Sequence, residues 1–325
     1  MSVTSYINEF RSIASAHPGP VDDSAEWVFG DDPQHLVFGM ITHGNETGSL
    51  PAIRPFVDHL ETQHQFKGKV SLFLGNVRAA MVNKRYTEAD LNRVFTEQPS
   101  TSYERDRALE LSTILKSASL LVDFHQTILA SNEPFYIFPY HRPGYYWARL
   151  LAGAKYLVTR HPNYQFSAGS MCTDEYVLAH GGAGVTLEMG QAGTSDWATD
   201  LTLTTMKRAL SIAASLEDES HLESLANQGN TDDLDFYEIT YAEPFNDPTM
   251  CLDPDWINFA TVKQGDRLGT NRDGLHFYAP KEGMLLFPKY PERDADGNAQ
   301  APIPKEIYNL ASKMPGHPLK IWSEV

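Results

Sequence analysis

The stretch 36-LVFGMITHGNETG-48 decides the fold. Its first six residues, Leu36 to Ile41, form a short apolar run that stops at once on Thr42, His43, Gly44, Asn45 and Glu46. A run this short, β-branched in part and bounded by turn residues, reads as a buried strand of a parallel sheet. In open α/β sheets ligands sit in the crevice beyond the carboxyl ends of the strands, and there His43 and Glu46 stand. Imidazole nitrogen and carboxylate oxygen suit Zn²⁺, and Gly44 lets the backbone fold so that both side chains converge. Taken alone, a His and a Glu three apart on a polar loop are solvated more often than they are ligands.

Outward from this stretch the chain repeats the pattern. Residues 1–20 carry Ile7, Phe10 and Ile13 at helical spacing and end before His17, Pro18, Gly19 and Pro20. After the HGNE turn, Leu50, Ile53, Val57 and Leu60 mark one buried helix face, with Pro51 and Pro55 implying an irregular first turn. VSLFLG (70–75) is a second apolar run and delivers Asn76 and Arg78 to a strand end. A polar stretch, 79–100, and a helix with Ala108, Leu111 and Leu115 lead to SLLVDF and then His125. FYIFP (135–139) and KYLVTR (155–160) read as strands around a helix, YYWARLLAG, and GVTLEMG (184–190) as a strand carrying Glu188. Ser195 to about Leu216 reads as a helix with a Met206, Leu210 and Ala213 stripe.

Strands alternating with helices predict an α/β domain with a mostly parallel sheet. NQGNTDD (227–233) is polar and turn-rich, and beyond it short strands are separated by turns such as 263–265 and 271–274, with little helical periodicity before Ile307. The expected division is therefore a catalytic α/β domain over 1–228 and a smaller β-rich domain over 229–325.

Composition narrows the function. At 325 residues and 42% hydrophobic the chain can bury a large core, and a net charge of −16 argues against nucleic acid. An anionic small molecule stays allowed, because a few arginines in a cleft outweigh the global field locally. The two cysteines, Cys172 and Cys251, lie far apart, which removes a disulfide scaffold and a thiolate zinc site. No signal-peptide core or membrane-length apolar run is present, so the expected location is the cytoplasm, with no membrane partner. A homo-oligomer is left open.

His43, Asn76 with Arg78, His125 and Glu188 each fall at or just past the end of an apolar run. Four such placements look like one site assembled on the carboxyl edge of a sheet. His43, Glu46 and His125 make a His₂Glu set with room for water in a fourth position, the pattern of a catalytic zinc. Asp123, two residues before His125 on the same strand face, is placed to orient a ligand histidine. Glu188 in an apolar strand is costly to bury without a function or a partner. Arg85 reads as a surface salt-bridge residue. Competing motifs fail: HGGAG (180–184) lacks a G-x-S-x-G partner, and neither a Walker A sequence nor H-E-x-x-H occurs.

THGNETG (42–48), GNVRA (75–79), KRYTEADLNRVF (84–95), VDFHQT (122–127) and TLEMG (186–190) together resemble the signature blocks of the succinylglutamate desuccinylase/aspartoacylase family, a branch of the zinc carboxypeptidase-like fold. The stretch VKQGDRLG (262–269) and DGLHFYAPKEGMLLFPKY (273–290) resembles the family's β-rich second domain. The resemblance implies one zinc per chain held by His43, Glu46 and His125, with Glu188 as the catalytic carboxylate. It implies Arg78 facing the scissile carbonyl and Asn92 with Arg93 gripping a substrate carboxylate. It also implies a zinc-dependent amidohydrolase acting on the amide bond of an N-acyl amino acid or related small carboxylate-bearing amide, and not on peptide bonds. The alternatives are a carboxypeptidase-like peptide hydrolase and a zinc-retaining binding protein without turnover. One departure stands out: Leu178 occupies the position, ten residues before Glu188, where the family carries an arginine.

Overall fold

The computed structural model describes residues 1–96, 101–129, 131, 133–151, 153–160, 169–228, 234–300 and 303–314. The chain opens with α1 (Val3–Ala16), β1 (Ser24–Val28), β2 (His35–Met40), α2 (Ile53–Thr62), β3 (Lys69–Leu74) and α3 (Val77–Ala80). It continues through α4 (Tyr103–Leu115), β4 (Leu120–Thr127), β5 (Phe135–Pro139), α5 (Arg142–Leu151), β6 (Tyr156–Arg160) and α6 (Thr173–Ala179). Then follow β7 (Ala183–Gln191), α7 (Asp196–Ser215), α8 (Glu219–Gln228) and β8 (Asp235–Pro244). Six strands finish the described chain: β9 (Cys251–Leu252), β10 (Ala260–Val262), β11 (Arg267–Thr270), β12 (His276–Tyr278), β13 (Gly283–Leu286) and β14 (Glu306–Lys313).

Every residue of β2, β4 and β5 is buried, as expected of strands covered on both faces, including the polar residues at the carboxyl end of β4. The apolar runs read from the sequence are all strands, and α1, α2, α4, α5 and α7 lie where helical spacing placed them. Pro51 sits in a single 3₁₀ turn, Leu50–Ala52, ahead of α2, and Pro55 falls in the first turn of α2, where no intrahelical N–H is lost. Phe38 of β2 meets Phe56 of α2 edge-on, with ring centroids 5.4 Å apart, which ties the helix to the sheet. The elements β1, α6 and α8 were not expected. Ile307, where helical periodicity was read as resuming, lies instead in β14.

The described strands build an eleven-stranded sheet in the order β1-β3-β2-β4-β7-β5-β6-β8-β14-β13-β10 and a small sheet β12-β11-β9. From β3 to β8 the pairings are parallel except for β5 against β7, giving a mixed α/β fold with a mostly parallel centre. From β8 through β14 and β13 to β10 they are antiparallel. The chain leaves β2 for β3 on one side and reaches β4 on the other, so the strand order reverses between β2 and β4. The crevice at such a reversal is where α/β sheets bind ligands.

The division expected at 228/229 adjoins residues 229–233, which lie outside the described residues. Across it the sheet is continuous, because β8 pairs in parallel with β6. Phe135, Ile137 and Val158 share one apolar cluster with Tyr237, Ile239, Phe259, Leu286 and Ala311. Among the described residues no helix is long and apolar enough to cross a membrane.

Candidate metal centre

Strand pairing brings the centre together. β2 and β4 run side by side, with Met40 opposite Phe124, so the loop after β2 begins beside His125. Ile41, fully buried, turns the chain there with φ of 48°, a left-handed conformation that a β-branched residue adopts only under strain. A tight turn follows, in which the Glu46 amide donates to the His43 carbonyl at 3.0 Å. Gly44 is required in that turn, since a Cβ on it would stand 2.3 Å from the Ala80 nitrogen. β7 lies on the other side of β4 and sets Glu188 opposite His125.

Three of the expected ligands converge. His43 Nδ1 lies 2.8 Å from Glu46 Oε1, His125 Nδ1 lies 2.9 Å from Glu46 Oε2, and the two Nδ1 atoms are 3.0 Å apart. All three side chains are buried, and their donor atoms fall within 4.8 Å of one another. Each far ring nitrogen faces a carboxylate: His43 Nε2 sits 3.0 Å from Asp90 Oδ1, and His125 Nε2 sits 3.0 Å from Asp123 Oδ2. Such partners favour a proton on Nε2 and leave the Nδ1 lone pairs aimed inward. Two lone-pair nitrogens and a carboxylate this close repel one another unless a cation lies among them, so the residues fit a zinc ion.

The surrounding hydrogen bonds hold the carboxylates charged. Asp123 is fully buried and accepts from the hydroxyls of Thr42 (2.8 Å) and Thr173 (2.7 Å). Burial pushes its carboxyl up, but His125 and these hydroxyls outweigh that and hold it below the usual range. For Glu46 burial acts in the same sense and is outweighed by His43 and His125, so it too is lowered. His125 goes the other way, since Asp123 and Glu46 outweigh its burial and raise it.

Glu188 differs. Among the described residues its Oε2 is buried with no hydrogen-bond partner. Burial, with the charges of Glu46 and Asp123 adding to it, pushes this carboxyl up to about 7 against the pull of His125 and Arg85. A carboxyl poised there exchanges protons readily at neutral pH.

A cavity of about 390 Å³ opens over these groups and is lined by Arg85, Asn92, Arg93 and Arg160, among others. Asn92 Oδ1 accepts from the Thr173 amide at 2.9 Å, which leaves its Nδ2 as the donor available for a ligand. Arg93 donates to the Asn92 carbonyl at 2.7 Å and touches Cys172 Sγ at 3.3 Å. The C-terminal segment supplies further lining, including Phe287, Lys289, Tyr290 and Asn309.

Arg78 is the residue the structure does not bring to the site. Its side chain is exposed, pairs with Glu88 at 2.9 Å and lies over the Tyr103 ring at 5.0 Å. It sits on α3 and is not among the residues lining the cavity. Arg85, read from the sequence as a surface residue, lines the cavity instead. It donates to Glu46 Oε1 at 3.1 Å and to Asp90 Oδ2 at 3.2 Å, touching one ligand and the carboxylate that orients another. Asp90 was also passed over, although it stands two residues before Asn92 inside DLNR and its side chain accepts from the Asn92 amide. Leu178 lies on α6 and does not line the cavity, whereas Arg160 at the end of β6 does, held by Asp174 at 2.8 Å.

Comparison with known proteins places the chain in a family. The profile of the Succinylglutamate desuccinylase/Aspartoacylase catalytic domain matches residues 33–219, more than half of the chain. A curated protein of Nostoc sp., named "Probable aspartoacylase", is 30% identical over 112 residues. That match covers 29% of this chain, which thereby spans about two fifths (38%) of the relative's length. The fold superposes on succinylglutamate desuccinylase of Vibrio parahaemolyticus with a TM-score of 0.70 at 13% identity, over 91% of this chain and 87% of that one. For succinylglutamate desuccinylase of Chromobacterium violaceum the TM-score is 0.64 at 17% identity, over 97% and 98%. For murine aminoacylase 3 it is 0.60 at 17% identity, over 87% and 96%. The chain therefore belongs to the succinylglutamate desuccinylase/aspartoacylase family.

Proposed function

We propose that this protein is a zinc-dependent hydrolase that cleaves the amide bond of an N-acyl amino acid or a related small carboxylate-bearing amide. The observation that carries the reading is the convergence of His43, Glu46 and His125 beside an unpartnered, buried Glu188. One zinc held by the three ligands would polarise a carbonyl and acidify water. Glu188 takes a proton from the attacking water and returns it to the leaving amine, the work of a carboxyl poised near neutrality. Arg85 is the guanidinium within reach of charge that develops on the carbonyl oxygen, where fixed donors stabilise a transition state more than a ground state. Asn92 and Arg93 receive the substrate carboxylate, one through an amide donor and the other through its charge.

A cavity of about 390 Å³ supports a small substrate over the peptide of the alternative reading. Family membership and the solved neighbours support the same chemistry. The test is a panel of N-acyl amino acids and short peptides, scored for amine release by the zinc-loaded protein, with zinc content measured beside it. Release from the small acyl amino acids with close to one zinc per chain is the expected result. Release from peptides alone selects the peptide hydrolase, and tight ligand binding without release selects the binding protein.

A further inference from the structure

The geometry points to Glu104 as the positioning residue of the centre, a role that rests on the metal reading above. The loop between α3 and α4 carries Arg85, Asp90, Asn92 and Arg93, yet over 84–90 it forms no helix or strand to hold it. Besides the Gly44 amide, which donates to the Arg85 carbonyl at 3.0 Å, its middle is held chiefly by one side chain. Glu104, in the first turn of α4, is fully buried and its carboxylate accepts from five groups. Oε1 takes the Thr87 amide (2.7 Å), the Thr87 hydroxyl (2.7 Å) and Asn76 Nδ2 (3.1 Å), while Oε2 takes the amides of Glu88 (3.2 Å) and Ala89 (3.0 Å). The three amides belong to consecutive residues lying between Arg85 and Asp90. Fixing them fixes the two side chains that touch Glu46 and His43.

The same helix ties this loop to the sheet. One turn on, the buried Arg107 donates to the carbonyls of Gly75 (3.0 Å) and Leu74 (2.8 Å) at the end of β3. Asn76 closes the arrangement, since its Oδ1 caps α3 through the Ala79 amide at 3.0 Å while its Nδ2 reaches Glu104. An ionised carboxylate offers about four acceptor sites, whereas a glutamine offers one acceptor oxygen and an NH₂ that would face other N–H groups. Glu104→Gln therefore keeps the volume and releases the loop.

The experiment compares Glu104→Gln with Leu222→Ala, a core truncation on α8 whose apolar cluster contains no residue of 84–104. Both are studied well below their melting temperatures. Two readouts are taken: zinc affinity by competition with a chelator, and hydrogen exchange of the segment 84–93. The expected result is zinc affinity weakened roughly 10- to 100-fold in Glu104→Gln. Exchange over 87–89 should become fast in that variant, while Leu222→Ala keeps both readouts at the parental level despite a lower melting temperature. Parental affinity and exchange in Glu104→Gln, or an equal loss in Leu222→Ala, overturns the assignment. If the parent itself binds no zinc, the metal reading falls and the exchange of residues 87–89 decides Glu104's role by itself.

Discussion

Two arginines seven residues apart show how strongly a side chain's role depends on where its backbone is anchored. Arg78 is exposed against Glu88 and Tyr103, while Arg85 reaches Glu46 and Asp90. Arg78→Ala should leave turnover within about threefold and stability within about 0.5 kcal/mol, as for an ordinary surface pair. Arg85→Ala should lower kcat by about 10²–10³, the usual loss when a fixed oxyanion donor is removed. Steady-state kinetics on the best substrate of the panel separates the two, and equal effects would return Arg78 to consideration. Glu188→Gln keeps the shape of the side chain but cannot accept a proton, so kcat should fall roughly 10²–10⁴ with zinc content unchanged. Near-parental turnover by that variant would remove Glu188 from the proton path.

Among the elements, the turn after β2 and helix α4 do the positioning. Gly44 packs against the Ala79 and Ala80 backbone, and its amide donates to the Arg85 carbonyl at 3.0 Å. A methyl there meets backbone rather than a flexible side-chain end, so Gly44→Ala should destabilise by about 1–3 kcal/mol. It should also weaken zinc binding, because His43 is the adjacent residue. A chemical denaturation curve and a zinc titration check both. Glu104 adds a pH signature. Burial raises its carboxyl, but the amides of Thr87 and Ala89, the Thr87 hydroxyl and Asn76 outweigh that and hold it below its ordinary 4.5. A group depressed on folding contributes stability above its unfolded value and loses it as pH falls through the folded one. The stability difference between parent and Glu104→Gln should thus be constant above about pH 5 and shrink as pH drops below 4.5. Denaturation midpoints across that range test it, and a gap that widens in acid would refute it.

At the scale of the molecule, the C-terminal third is part of both the sheet and the cavity. β8 pairs with β6, and Phe287, Lys289, Tyr290 and Asn309 line the site beside residues from the first half of the chain. Removing residues 229–325 would expose Phe135, Ile137 and Val158, whose apolar partners lie on β8, β13 and around Phe259. Each such side chain stabilises by about 1.5–3 kcal/mol when buried, against a total of about 5–15 kcal/mol for a domain. The 1–228 fragment should therefore fail to fold stably, and calorimetry of the whole chain should show one cooperative transition. Two separated transitions, or a soluble and cooperatively folded fragment, would show that the parts are thermodynamically independent.

The sequence by itself determined the apolar strands, most of the longer helices and the candidate metal ligands. Continuous apolar runs such as Leu36–Ile41 and Leu120–Val122 are stable only when covered on both faces, and polar residues placed at or just beyond their ends arrive at a sheet edge wherever the strands are ordered. Asp123 and His125 were legible for the same local reason, since alternate residues of a strand share a face. Only the tertiary structure decided that β2 lies beside β4, which is what makes His43 and His125 neighbours across 82 residues of chain. It also set Arg85 rather than Arg78 on the cavity wall, brought Arg160 to it and drew the C-terminal segment into its lining. Periodicity records which side chains leave water. It does not record how a loop without regular structure is held, and here that rests largely on five hydrogen bonds to Glu104 from residues 15 to 28 positions away.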